Sequence, residues 1–165
     1  MKLTEANFNF ASRVAKSALL TVIKPDGKIN TMTVSWGGSG ILWGREVGFI
    51  FVRPERYTYE FCHEGSIFSL SFFGEDEKDI LSFCGTKSGR DVDKFEACQL
   101  KYTVENGACI FDRAEISVIM EKLYAADLDK DSFVTDIAKS FYTNGGYHKM
   151  YICQIKDIIC HSKHS

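Results

Sequence analysis

The sequence predicts a mainly β fold with short helices, arranged as a closed antiparallel barrel. Short apolar or alternating runs are separated by tight turn signals, and the 165 residues contain only two prolines and no Pro/Gly-rich linker. The glycine fingerprints of parallel nucleotide-binding sheets are missing as well. Gly37-Gly38-Ser39-Gly40 is not G-x-G-x-x-G, and no G-x-x-x-x-G-K-[ST] occurs. A doubly wound parallel sheet would also need a helix after nearly every strand. A chain of this length buries roughly two-thirds of the surface its unfolded form exposes, enough for one core without disulfides or metal. Residues 1–165 are therefore read as a single domain.

Residues 17–23 (SALLTVI) read as a strand, 24–28 (KPDGK) as a turn and 29–36 (INTMTVSW) as the returning strand. Residues 37–40 (GGSG) read as a loop. The run 47–52 (VGFIFV) is short and bounded by breakers, which favours a buried strand over a helix. Pro54 suits the first position of a helix and Gly65 its end. Residues 66–73 (SIFSLSFF) read as a strand. Glu75, Asp76 and Glu77 place three acids at the positive end of a short helix. Residues 84–89 (CGTKSG) are read as loop, 91–98 as a short helix, 109–123 as one long strand and 131–141 as helix. Asn144-Gly145-Gly146 makes a turn, and 147–159 returns to strand.

Lys and Arg number 20 against 22 Asp and Glu, a net charge of -2 with no block of one sign, so neither nucleic acid nor an anionic membrane is expected as a partner. The N-terminal MKLTEANFNF lacks the apolar core of a signal peptide, and no run approaches a membrane span; the expectation is a soluble, cytoplasmic protein. The six cysteines are scattered without C-x-x-C or zinc-site spacing, which reads as reduced thiols and no metal. Cys62 or Cys84, if exposed, would be open to redox chemistry.

Three stretches carry candidate chemistry. In RPERYTYE, a helix beginning at Pro54 would aim the N–H groups of Glu55, Arg56 and Tyr57 at an anion, with Arg53 and Arg56 as guanidinium forks and the Thr58 hydroxyl beside them. The alternative is a wet surface on which Glu55 and Glu60 pair with the arginines. In NTMTVSW, strand alternation puts Asn30, Met32, Val34 and Trp36 on one face and Thr31, Thr33 and Ser35 on the other. That mixture suits a flat heteroaromatic ligand, or the hydroxyls face water. In CGTKSGRDVDKF, Gly85 and Gly89 allow close backbone approach, with Thr86, Lys87, Ser88, Arg90 and Lys94 as donors. Asp91 and Asp93 read as a helix start rather than as catalysts.

Together NTMTVSW, VRPERYT, SLSFFG and CGTKSGRDVDKF resemble, in order and spacing, the flavin reductase-like family typified by flavoredoxin, over about residues 10–160. The resemblance implies an FMN-binding split β-barrel that holds the flavin without a covalent bond, as a homodimer with the flavin near the subunit interface. Carried over by position, it places Asn30, Thr33, Ser35 and Trp36 around the isoalloxazine, with Met32 and Val34 of the same strand included in the site. Thr58 matches a phosphate or ribityl contact, with Arg53 and Arg56 beside it. Lys94 matches a further flavin-binding position, Ser88 and Arg90 of the same stretch are added as candidates, and His148 in GGYHKMY lies where the family often has a histidine. The chemistry then belongs to the cofactor, and no catalytic side chain is assigned. Three functions remain open: an NAD(P)H-dependent FMN oxidoreductase, an FMN electron-transfer protein that docks with a redox partner, and a barrel without flavin that serves as an interaction module.

Overall fold

The computed structural model describes residues 1–3 and 5–161. Its centre is a seven-stranded antiparallel sheet. β1 (Ala18–Ile23) and β2 (Ile29–Val34) form the expected hairpin in full register, from Ala18 opposite Val34 to Ile23 opposite Ile29. Gly27, at φ +86°, closes the turn, where Asp26 also accepts from the Lys28 N–H at 3.0 Å. β3 (Gly37–Leu42), β4 (Arg45–Val52), β5 (Ile67–Phe72), β8 (Ile116–Asp127) and β9 (Lys149–Cys160) complete the sheet, and β6 (Tyr102–Glu105) with β7 (Ala108–Phe111) makes a separate hairpin. The large sheet runs β2-β1-β5-β8-β9-β4-β3.

The sheet curls, because one core cluster draws residues from both of its ends: Met32 and Val34 of β2 meet the same interior as Ile50 and Val52 of β4. Phe68 of β5 and Tyr151 of β9, two strands apart, touch inside at 5.4 Å between ring centroids. The barrel is split, as the resemblance implies, rather than closed, since the terminal strands β2 and β3 are not paired with each other. They diverge after Val34, and Ser35 and Trp36 form the bend between them instead of continuing the strand.

The outer face of β1 is also covered. Leu19 packs with Leu81 and Cys84 of α3 (Lys78–Thr86), Leu100, and Phe111 of β7 in a second cluster, which is why β1 is buried on both faces. The remaining helices are α1 (Phe10–Ala15), α2 (Thr58–Glu64), α4 (Lys94–Ala97) and α5 (Asp136–Lys139). α4 is capped by Asp93, whose carboxylate accepts from the Phe95 and Glu96 N–H groups, and three acids precede α3 in a 3-10 turn as expected. Among the described residues no helix is long and apolar enough to cross a membrane.

Several local expectations are corrected. Gly37–Gly40 is not a loop but the start of edge strand β3, turning at Trp43-Gly44 into β4. The expected strand 109–123 is two strands; Asn106-Gly107, both at positive φ, form a tight β6–β7 turn, and residues 112–115 carry the chain into the main sheet. Pro54 does not open a helix. The Arg56 N–H bonds back to the Arg53 carbonyl at 3.1 Å in a turn, and α2 begins at Thr58. Residues 84–86 belong to α3, so the loop starts at Lys87. Of 131–141 only the single turn of α5 is α-helical; Val134 (96% exposed) and Ile137 (80%) have no surface to pack on, and short unpacked helices are marginal. The sequence reading assigns no element to residues 10–15, where α1 forms with the Asn9 side chain accepting from the Ser12 N–H.

Gly37 is required by packing. A Cβ there would lie 2.6 Å from the Phe49 carbonyl oxygen, whereas at Gly38 the nearest atom is a side-chain carbon at 3.9 Å. Gly37→Ala should therefore destabilise the fold by roughly 1–3 kcal/mol and Gly38→Ala by much less, read from urea midpoints of the two variants.

Candidate cofactor site

β2 is an edge strand, and its free side is occupied by side chains and by α3 rather than by another strand. The Thr33 hydroxyl donates to the Leu81 carbonyl at 2.5 Å, and Gly85 lies so close to Thr33 that a Cβ would meet it at 3.2 Å. The Lys94 ammonium donates to the Thr31 carbonyl and to the Cys84 carbonyl, both at 2.8 Å. A groove runs along this seam. Its wider end, about 340 Å³, lies by Trp36 and its narrower end, about 90 Å³, by Lys94; Met32 and Arg56 line both and join them.

Every residue singled out in the sequence for cofactor binding lines this groove except Arg90. Asn30, Arg56, Thr58, Ser88 and Lys94 gather at the narrow end, and Thr33, Val34, Ser35, Trp36, Arg53 and His148 at the wide end. Arg90 lies in an adjoining hollow, its guanidinium over the Tyr57 ring at 4.7 Å and paired with Glu60.

At the narrow end Asn30 Nδ2 donates to Thr58 Oγ1 at 2.8 Å, and both residues are buried. Arg56 donates one bond, to the Gly85 carbonyl at 2.8 Å, and has donors to spare. Lys94 is 3% exposed, and no carboxylate pairs with it among the described residues. Burial lowers its pKa below the ordinary lysine value, an effect the nearby Cys84 opposes. Two carbonyls take two of its three N–H donors. A buried cation without a counter-ion is costly, and an anion in the groove would offset that cost.

The anion seat differs from the one expected. No helix begins at Pro54 to aim the Glu55, Arg56 and Tyr57 N–H groups together, and that of Arg56 is spent on the Arg53 carbonyl; the donors gathered at the narrow end are side chains. The two arginines also divide. Arg53 turns to the wide end, donating to the Phe141 carbonyl at 3.0 Å and lying over the Tyr142 ring at 5.2 Å. The three hydroxyls of NTMTVSW do not face water together: Thr31 bonds with Thr21 at 2.9 Å, Thr33 with Leu81, and Ser35 with Ser17 at 2.8 Å.

The wide end is aromatic. Trp36 lies 5.3 Å from Phe141 and 5.0 Å from His148 between ring centroids. His148 is 8% exposed, and its Nδ1 shares a 2.7 Å hydrogen bond with the Tyr142 hydroxyl. Burial first, and Arg53 second, push the His148 pKa down to about 4, so the ring is neutral at pH 7. Tyr142 and Phe51 are not singled out in the sequence, and Tyr57 is named there for its N–H and not for its ring. Tyr57 lay inside a motif read for its charges, whereas nothing local marks Tyr142, which reaches His148 only because the 140–147 segment folds back.

A larger cavity, about 680 Å³, adjoins at Ser17. On its rim Glu75 pairs with Lys16 and Lys78, and Arg13 with Glu115 at 2.6 Å. The unpaired buried cation lies in the β2 groove, and the cofactor site is assigned there.

A split antiparallel barrel with a donor-rich groove along its unpaired seam defines a ligand-binding barrel. The family model described as flavin reductase like domain matches residues 11–165, and the chain belongs to that family. Solved structures agree on the fold. Flavoredoxin of Desulfovibrio vulgaris (Miyazaki F) superposes with a TM-score of 0.70 at 17% identity, over 98% of this chain and 78% of that one. The FMN-binding protein from Thermus thermophilus gives 0.66 at 21% identity, over 87% and 68%. The NADH:FAD oxidoreductase SgcE6 of Streptomyces globisporus gives 0.66 at 12%, over 88% and 75%. No curated protein matched the sequence.

The His148 geometry sets a pH dependence. The unfolded chain takes up the imidazole proton near pH 6.5 and the folded chain only near 4, so the unfolded state binds more protons in between and stability falls as the pH drops through that window. His148→Gln, which keeps a neutral partner for Tyr142, should remove about 1–3 kcal/mol of the acid loss between pH 6.5 and 4, measured as urea midpoints of both proteins across that range.

Proposed function

We propose that the protein is an FMN-dependent oxidoreductase that holds the flavin in the β2 groove, accepts electrons from NADH or NADPH and delivers them to an acceptor, as a cytoplasmic homodimer. The observation that carries this reading is the buried Lys94 ammonium with no carboxylate partner, at the narrow end of a groove lined by hydroxyl, amide and guanidinium donors. That donor set suits a phosphorylated ligand. Family membership supports flavin-linked redox chemistry, and the neighbours named as a flavoredoxin and an FMN-binding protein favour FMN.

Lys94, Arg56, Thr58 and Ser88 would hold the phosphate and ribityl end, and Asn30, Thr33, Ser35 and Trp36 the ring system. When bound, FMN supplies an electron-accepting and electron-donating ring whose potential the surrounding hydrogen bonds tune. The protein's own contribution is to bind and orient. Tyr142 fixes the His148 ring at the wide end, and Trp36 and Phe141 provide an apolar wall against water. Trp36 (43% exposed) and Phe141 (55% exposed) lie half open beside the groove, which supports a second copy of the chain covering this end.

Absorbance spectra taken anaerobically test the reading. The FMN-loaded protein should show flavin bands that bleach on adding NADH or NADPH. Bands that persist until dithionite is added would make it an electron carrier for a redox partner, and failure to bind added FMN would remove the flavin reading. The double substitution Arg56→Ala with Thr58→Ala should weaken FMN binding by about tenfold or more, on the order of 1.4 kcal/mol, in a fluorescence titration.

A further inference from the structure

Cys62 and Cys84, named in the sequence for redox chemistry if exposed, are both wholly buried, which closes that route. A polar group with a free face lies instead at the wide end of the groove. There Thr33 is bonded to Leu81 and Ser35 to Ser17, and Arg53 turns to the Phe141 and Gly146 carbonyls at 3.0 and 3.4 Å. His148 differs. Its Nδ1 shares the 2.7 Å bond with the Tyr142 hydroxyl, and among the described residues nothing bonds its Nε2. Nor is Nε2 sealed in. The buried side-chain atoms without a partner are Arg13 Nε, Ser71 Oγ and Tyr151 Oη, so Nε2 reaches open space, beside a groove that His148 lines.

A neutral imidazole carries one proton, and the partner at one nitrogen decides which nitrogen holds it. Two arrangements fit the Tyr142 contact. If Nδ1 held the proton and donated it, the Tyr142 hydroxyl would accept, and its own proton, on a residue 8% exposed, would have no acceptor among the described residues. If Tyr142 donates instead, its proton is met and the imidazole proton sits on Nε2, at the groove. Only the second arrangement leaves no buried donor unpaired. Burial also raises the Tyr142 pKa above the ordinary tyrosine value, so the phenol keeps its proton at pH 7. The phenol is itself held in place. Tyr142 stacks on Tyr147 at 4.9 Å with 17° between the ring planes, and the Arg53 guanidinium lies over its ring at 5.2 Å.

We propose that Tyr142 is a positioning residue that locks His148 in the Nε2–H tautomer, so that the imidazole presents a neutral donor to a carbonyl oxygen bound at the wide end of the groove. That oxygen belongs to a flavin ring or to a nicotinamide carboxamide, and for this ligand the inference rests on the function proposed above. The tautomer does not rest on it, because it follows from the Tyr142 bond. A neutral N–H orients a ring by its carbonyl without placing a second charge beside Arg53. It also selects against a ring that lacks an acceptor there, because a desolvated donor left unpaired is costly.

Full-length protein labelled with 15N in its histidines decides the tautomer. At pH 7, two-bond proton–nitrogen correlation spectra separate Nε2–H from Nδ1–H imidazoles, and His148→Gln identifies the His148 signals. The expected result is His148 protonated at Nε2 in the free protein, with the Nδ1–H form appearing in Tyr142→Phe. His148 protonated at Nδ1, or a tautomer unchanged in Tyr142→Phe, would overturn the lock; if that variant does not fold, the unsubstituted protein decides alone. Adding FMN should move the Nε2–H proton resonance downfield if the flavin ring supplies the carbonyl. If it moves only when NAD+ is added to the FMN-loaded protein, the carboxamide supplies it. A resonance that neither moves, with FMN bound, would overturn the donor role. His148→Leu should weaken binding of the ligand that moves the resonance roughly three- to tenfold, and His148→Gln, which keeps an N–H donor, by clearly less. Equal losses in the two variants would make the role of His148 one of packing. If FMN fails to bind at all, the proposed function and the donor's ligand fall together, and the tautomer is still decided in the free protein.

Discussion

The Lys94 ammonium is the pin on which the site depends. A sheet edge leaves backbone groups that must find partners, and β2 is such an edge. Here α3 and Lys94 cover it, with Thr31 and Cys84 offering their carbonyls to one cation and Thr33 donating to the Leu81 carbonyl. The Thr31 carbonyl on that edge is thus met without a neighbouring strand, the barrel stays split between β2 and β3, and the groove runs along the split. A hydrophobic residue at position 94 would fill the space and leave two carbonyls unmet. A lysine meets them and leaves a buried positive charge facing the cavity, which turns a solution to an edge-strand problem into a preference for anions.

The groove's two ends use different physics. At the narrow end, donors with few acceptors converge around a desolvated cation, so charge and hydrogen bonding dominate. At the wide end Trp36, Phe141, Tyr142 and His148 form an aromatic cluster in which the histidine is kept neutral by burial and by Arg53. The arginines that stand three residues apart in the sequence serve the two ends separately, Arg56 beside Gly85 and Arg53 beside the 141–146 segment. A ligand with a phosphate at one end and a flat conjugated ring at the other matches this division.

Much of the architecture was legible because strand periodicity and turn chemistry are local. The β1–β2 hairpin follows from LLTVI, Pro-Asp-Gly and INTMTV, and β5 and β9 follow from their apolar runs. The Asn106-Gly107 turn is equally local, but Cys109–Phe111 runs on into the apolar alternation of β8, so 109–123 reads as one strand. GGSG was different. Its strand exists because Gly37 can lie against the Phe49 carbonyl, a contact that no local propensity encodes. The helix expected at Pro54 failed for a similar reason, since the 53–57 segment is held as a turn with Arg53 and Arg56 each bonded to distant carbonyls.

The sequence by itself determined the fold class and the residue types along the groove. Alternation, turn residues and the order of four motifs are properties of neighbours in the chain, and the resemblance they carry led to the family to which the chain belongs. The tertiary structure alone decided which of those residues share a space. It separated Arg53 from Thr58, spent the Thr31 and Thr33 hydroxyls on the protein's own carbonyls and joined Tyr142 to His148. These contacts depend on the curl of the sheet and on α3 and α4 folding back on its edge. A side chain's charge state and partners follow from burial, and burial is set by parts of the chain remote in sequence.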